Sequence, residues 1–275
     1  MKNPSVHENK ITEVQFECLL TDFEKYLLQA IELCDENRWL KGLLNVIDSK
    51  HYIGTILEDI NICLSRIDRN AKVLDFGCGC GVVGYIFARL GYDVSCVDID
   101  DFESDKSTHI EMARQQSKLW RLIERELNNI VFYHYSSDLP FNSDKFDLVI
   151  AYAVIEHIPN DAIDGALIEV RRVAKKDSGL FVSRLPRKLS YIEAVAKALN
   201  IPAHETLYGK LEIVRLLESY GLSIVYYGIT DFLPSYPSKY INKFPRLVKI
   251  LESACLKTPL RYVAHHQRLY AIFKK

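Results

Sequence analysis

Residues 73–81 read Val73-Leu74-Asp75-Phe76-Gly77-Cys78-Gly79-Cys80-Gly81. The apolar start, from Lys72 to Phe76, has the length of a buried strand. Three glycines then alternate along the chain, so the turn that follows calls for backbone free of side chains, which can take positive φ and come close to a ligand. Apolar helical periodicity resumes over Val82–Leu90. A strand, a glycine turn and a helix in this order present helix N–H groups to whatever lies above the loop.

Outward from this unit the chain alternates. Strands are expected at Tyr92–Asp98, Ile130–Tyr135, Phe146–Ala151, Leu180–Arg184, Leu222–Tyr227 and Gln267–Phe273. Helices are expected at Glu103–Asn128, about 160–175, 189–199, 208–220 and 245–256. Such alternation predicts an α/β fold with a doubly wound sheet covered on both faces, its ligand site at the carboxyl ends of the strands. Before Lys72 the texture is all-helical, over 11–34, 38–47 and 52–66. The expected division is a helical cap (1–70) and a binding domain (71–275) with an insertion at about 229–265.

The 275 residues are 48% hydrophobic and 26% charged, enough for a sizeable core. No run approaches the ~18 apolar residues of a membrane span, and residues 1–8 show no apolar segment of a secretory signal. Seven scattered cysteines without a CxxC pair speak against a disulfide framework or zinc ribbon and for a reducing, cytoplasmic setting. The net charge of −1 hides an asymmetry: residues 239–275 carry nine Lys or Arg against Glu252 alone, hence +8 there and −9 elsewhere. That segment suits an anionic substrate, a membrane surface or nucleic acid, or is simply solvated.

The glycines fit two registers. Gly79-x-Gly81-x-x-Gly84, with Asp98 19 residues after Gly79, matches a dinucleotide fingerprint. The other register places Asp75 two residues before Gly77. An acid there repels a pyrophosphate but accepts a hydrogen bond from an ammonium group. S-adenosylmethionine carries an ammonium and no phosphate, which favours that cofactor.

With Val97-Asp98-Ile99-Asp100 ending the second strand, Asp138-Leu139-Pro140-Phe141 leading to Phe146-Asp147-Leu148-Val149-Ile150, Glu156-His157-Ile158-Pro159 just past the fourth strand, and a further stretch from His204 to Leu222, the chain over about 71–228 resembles the class I S-adenosylmethionine-dependent methyltransferases of small-molecule type. The resemblance implies a Rossmann-like seven-stranded sheet with its last strand antiparallel, and transfer of a methyl group to an O, N or C nucleophile of a small or lipid-like acceptor, leaving S-adenosylhomocysteine. It implies that Asp75 meets the cofactor's amino group, that Gly77, Cys78 and Gly79 pass beneath its methionine part, that Asp98 holds the ribose hydroxyls, and that Ile99 packs on adenine. Ser136 and Ala151 are implied as backbone contacts. Many relatives have an Asp-Ala pair where Tyr135-Ser136 stand here, so the usual acceptor for the adenine amino group is missing.

His157 is the candidate base, since a histidine near neutrality suits an alcohol or phenol; a structural histidine is the alternative. His204, Tyr208, Trp39, His51 and Tyr52 are candidates for the acceptor pocket. An ExxEH metal motif is incomplete, because Ala153 replaces its first acid, so no metal is expected. Cys78 and Cys80 alone do not complete a tetrahedral site. A non-catalytic S-adenosylmethionine-binding protein and an NAD-dependent oxidoreductase are the rival readings. A nucleic-acid acceptor is disfavoured by the lack of an Asn-Pro-Pro-Tyr type motif. Peripheral membrane contact through the basic C-terminal segment is allowed, and Pro245–Cys255 is the candidate to lie on a membrane or cover the acceptor.

Overall fold

The computed structural model describes residues 10–35, 37–99, 107–135, 138–200, 204, 206–234 and 242–274, the side chains of 107–111 excepted. In chain order the elements are α1 (Glu13–Glu32), α2 (Arg38–Ile47), α3 (Lys50–Leu64), β1 (Lys72–Phe76), α4 (Val82–Arg89), β2 (Asp93–Ile99), α5 (Ser107–Glu126), β3 (Ile130–Tyr135) and β4 (Phe146–Tyr152). They continue with α6 (Ile163–Val173), β5 (Ala174–Pro186), α7 (Tyr191–Ala198), α8 (Lys210–Ser219), β6 (Leu222–Thr230), α9 (Pro245–Leu256) and β7 (His266–Phe273).

The strands form one sheet in the order β3-β2-β1-β4-β5-β7-β6. The pairs among β1 to β5 are parallel, and β7 runs antiparallel to both β5 and β6. This is the expected doubly wound architecture. From β1 the chain builds outward to β2 and β3, then crosses to β4 on the other side. The strand order therefore reverses between β1 and β4, which places the ligand crevice at their carboxyl ends. Burial explains the strand sequences: Val73 to Phe76 and Leu148 to Ala151 are all buried, because helices cover both faces.

The N-terminal helices join the same core. Thr12 and Gln15 form a capping box at the start of α1. Its stripe of Phe16, Leu20, Phe23 and Leu27 is buried in one cluster with Tyr85 and Phe87 of α4. α3 is tied to the far side of the sheet: Thr55 donates to Asp231 at 2.8 Å, and Asp59 pairs with Arg268 of β7 at 2.7 Å.

The main departure from expectation is β5. Apolar residues predicted only Leu180–Arg184, whereas the strand covers Ala174–Pro186. Lys175, Lys176 and Asp177 stand near its start and Arg187 directly follows its end, and such charges hide a strand from any hydrophobic pattern. Hydrogen bonding to β4 on one side and to the start of β7 on the other extends it through irregularities in register. Among the described residues, no helix is long and apolar enough to cross a membrane.

Candidate active site

The glycine loop after β1 folds back on β2. Gly77 and Cys78 donate from their backbone to the Val97 carbonyl at 2.8 and 2.9 Å. Gly77 has φ +70°, and a Cβ there would lie 2.5 Å from Val154 Cγ2, so only glycine fits between β1 and the exit of β4. Gly79 has φ +53° and no atom within 4 Å of where its Cβ would stand. The loop is thus closed on its Val154 side and open at Gly79.

Two buried acids frame this loop. Asp75, on β1, accepts from the Gly84 backbone N–H in the first turn of α4 at 2.8 Å. Burial pushes its carboxyl up to about 7, partly offset by that N–H and reinforced by Asp98. Asp98, near the end of β2, accepts from Gly79 N–H at 2.6 Å, from Ile99 N–H at 2.8 Å and from Gln116 Nε2 at 3.1 Å. Burial raises its pKa while those N–H donors pull it down. A carboxylate offers about four acceptor positions, so one remains for a ligand hydroxyl. Ile99, next to it, is 52% exposed although apolar. Ala151 is buried opposite Phe76, and Cys78 is buried in the loop. Ser136 lies outside the described residues.

Gln116 and Trp120 were not singled out from the sequence. Both donate to the Gly79 carbonyl, at 2.7 and 3.0 Å, and so hold the loop from α5. Trp120 stacks on Phe132 with centroids 5.0 Å apart. The signal was available: two polar tips one helical turn apart on the buried face of a helix.

The exit of β4 faces this loop. Ala153 has φ +55°, and a 3-10 turn at Ile155–His157 follows. The turn buries Glu156 and leaves the His157 side chain 65% exposed. Burial raises Glu156 to about 7, and its Oε2 has no hydrogen-bond partner among the described residues. Partial burial, and then His204, lower His157 from the ordinary histidine value, which favours the neutral ring, the form that can accept a proton. His204 lies beside it, with ring centroids 5.6 Å apart. Glu193 at the start of α7 holds His204 twice, accepting from its ring Nδ1 at 2.7 Å and from its backbone N–H at 3.2 Å.

Donor atoms of Glu156, His157 and His204 fall within 4.8 Å of one another. Counting donors along the β4 exit alone missed this, because the third one arrives from a distant loop.

Behind these groups lies a charged network. Asp231, just past β6, accepts from His266 Nδ1 at 2.8 Å and is 3.4 Å from Arg184. Burial alone would raise Asp231, but Arg184 and His266 together hold it far below the usual carboxylate range. Arg184, at φ +55° near the end of β5, lies over the Tyr52 ring at 4.3 Å. His51 Nε2 is 3.7 Å from Asp231 and 3.8 Å from Glu252. Burial lowers His265 to about 3 and His266 to about 4, their neighbouring charges adding to or opposing it. Of the candidate pocket residues, His51 and Tyr52 therefore join this network, while His204 stands beside His157. Tyr208 forms a bridge with Arg187 beside them, and Trp39 packs with the core at α2.

The residues present fit S-adenosylmethionine. The open flank at Gly79 admits a chain lying against backbone, Asp98 retains acceptor capacity for a hydroxyl, and an exposed Ile99 offers a flat apolar contact. Asp75 remains a second acid near the loop, its inward oxygen already taken by Gly84.

Comparison with known proteins points the same way. A family model described as a methyltransferase domain matches residues 49–227, well over half of the chain. The ubiquinone biosynthesis O-methyltransferase of Pelagibacter ubique is 29% identical over 181 residues, covering 64% of this chain and 70% of that protein. An uncharacterized protein of Methanocaldococcus jannaschii is 25% identical over 201 residues, covering 73% and 75%. Among solved structures, a magnesium protoporphyrin IX methyltransferase of Synechocystis with bound S-adenosylhomocysteine shares the fold, with a TM-score of 0.56 at 16% identity over 95% of this chain and 98% of that one. Neither rival reading, the oxidoreductase or the non-catalytic module, is favoured by these matches. The chain belongs to the methyltransferase domain family and is an S-adenosylmethionine-dependent methyltransferase.

Proposed function

We propose that the chain methylates an oxygen of a small, lipid-like acceptor at the carboxyl ends of β1 and β4. The observation that carries this reading is the juxtaposition of the open glycine loop with His157, Glu156 and His204 at the β4 exit. Relatives named as ubiquinone biosynthesis O-methyltransferases support an oxygen nucleophile and a small-molecule acceptor.

S-adenosylmethionine supplies an electrophilic methyl on a sulfonium, and the protein's part is largely positioning. Asp98 would hold a ribose hydroxyl, Asp75 would meet the amino group directly or through water, and Gly77, Cys78 and Gly79 would run beneath the methionine part. Ile99 would pack on adenine, with Ala151 as a backbone contact. His157 accepts the acceptor's proton as the oxygen–carbon bond forms and the sulfur–carbon bond breaks. Helices α1 to α3 and α9 close over the acceptor and exclude water. The basic C-terminal segment makes peripheral membrane contact. Seven free thiols suit a cytoplasmic location.

The test is calorimetric binding of S-adenosylmethionine and S-adenosylhomocysteine, followed by a screen of phenols and catechols with alkyl tails for release of S-adenosylhomocysteine. Turnover of a tailed phenol, lost in His157→Ala with cofactor affinity retained, is expected. Turnover unchanged in His157→Ala would remove the base role, and turnover confined to amines would remove the oxygen assignment.

A further inference from the structure

Helix α9 carries two apolar stripes on opposite sides. Pro245, Val248, Glu252, Cys255 and Leu256 are the partly buried residues of its inner face, and none of its residues is fully buried. Leu247, Ile250, Leu251 and Ala254 recur at i, i+3, i+4 and i+7 and are all exposed, Ile250 by 65%. A packing role explains the first stripe and not the second. The apolar surface continues beyond the helix: Phe244 before it is 61% exposed, and Leu260 and Tyr262 of the following 3-10 turn are exposed as well. Contiguous exposed apolar residues of this kind mark an interaction surface.

The charge pattern names the occupant. Between Asn242 and Val263 the chain has Lys243, Arg246, Lys249, Lys257 and Arg261, with Glu252 its single acid. Glu252 is turned inward, accepting from the backbone N–H groups of Phe232 and Leu233 at 2.7 Å each. The outward side therefore offers apolar side chains interleaved with cations and no carboxylate of its own. Lys249 also reaches Glu13 at 3.7 Å, across an exposed gap. Apolar anchors ringed by cations fit an anionic lipid surface.

The place of this surface gives it a function. Glu252 is 3.8 Å from His51, and Arg187 holds the carbonyls of Arg261 and Ala264 at 3.0 and 3.2 Å. α9 and the 3-10 turn are thus fastened to the end of the sheet that carries His157 and the glycine loop. We propose that Phe244, Leu247, Ile250, Leu251, Leu260 and Tyr262 dock the enzyme on an anionic bilayer, so that a lipid-like acceptor enters the site directly from the membrane. The direction of delivery rests on the acceptor reading above; the docking does not.

The test is cosedimentation of the full chain with phosphatidylcholine vesicles, with and without phosphatidylglycerol. Binding at least about tenfold stronger to the anionic vesicles, and weakened by salt, is expected. The double variant Ile250→Ser/Leu251→Ser should weaken it by about tenfold or more, while calorimetric binding of S-adenosylhomocysteine stays unchanged and shows that the variant is folded. Absence of vesicle binding, or binding indifferent to the double variant, would overturn the proposal. So would a dimer in sedimentation velocity that the double variant dissolves, with no affinity for vesicles. Because vesicle binding needs no cofactor, its failure would leave the methyl-transfer reading standing.

Discussion

The Asp98 carboxylate accepts a hydrogen bond from the Gly79 backbone N–H at 2.6 Å, so the acid after β2 sets the position of the loop after β1. In the proposed site this one group would serve both the loop and the ligand. Asp98→Ala should weaken binding of S-adenosylmethionine and S-adenosylhomocysteine by about ten- to a hundred-fold, the scale of a lost hydrogen bond to a charged group. Calorimetry with both ligands checks this.

Gly77 and Gly79 differ in what a methyl group would meet. Gly77→Ala drives Cβ against Val154 at positive φ and should cost about 1–3 kcal/mol of stability, read as a lowered thermal midpoint. Val154→Ala in the same chain should recover part of the loss. Gly79→Ala meets only open space, so its stability cost should stay near 1–2 kcal/mol, while cofactor affinity falls further than stability does.

The Gly79 carbonyl accepts from both Gln116 and Trp120. Removing one donor should be milder than removing both. Trp120→Phe keeps an aromatic face for Phe132 and should cost about 1 kcal/mol, as should Gln116→Ala, each with weaker cofactor binding. A double-mutant cycle on affinity should show coupling, because the two donors share one acceptor.

Asp75 has its carboxyl raised by burial to about 7. Its folded pKa lies above the unfolded value of 3.8, so holding it ionised costs stability, and that cost accumulates as pH rises from about 4 to about 7. Asp75→Asn retains an acceptor for the Gly84 N–H and should raise the thermal midpoint at pH 8. The same change should weaken S-adenosylmethionine, whose ammonium needs the anion. A loss of stability at pH 8 would contradict the first expectation, and unchanged affinity the second.

His265 and His266 behave in the opposite sense. Burial depresses both, to about 3 and about 4, from 6.5. Stability from keeping them neutral is complete above about pH 6.5 and is lost as pH falls towards those values. Each contributes a slope of up to about 1.4 kcal/mol per pH unit in that window. Urea unfolding between pH 7.5 and pH 5 should show the decline, and His265→Gln should flatten it.

Much of this molecule was legible in the order of its residues. The buried runs at Val73–Phe76 and Leu148–Ala151 are apolar apart from Asp75, and a parallel strand is mostly apolar wherever helices cover both sides. Positive φ at Gly77 and Gly79 is a local demand, so the loop was readable too. β5 was only partly visible, since its charged ends are held by hydrogen bonds to neighbours that no local pattern reveals. Gln116, Trp120 and Arg184 were missed for a related reason: each acts on a residue far along the chain.

By itself, then, the sequence determined the alternation of elements, the glycine turn and the two acids, because periodicity, backbone freedom and short spacing are local properties. Only the tertiary structure decided which groups meet. It brought His204 and Glu193 to His157, closed Gln116 and Trp120 onto Gly79, and turned Glu252 inward while leaving Ile250 outside. Those contacts join segments distant in the chain. They form because the sheet order places β1 beside β4 and because burial leaves each polar group to find a partner wherever the fold provides one.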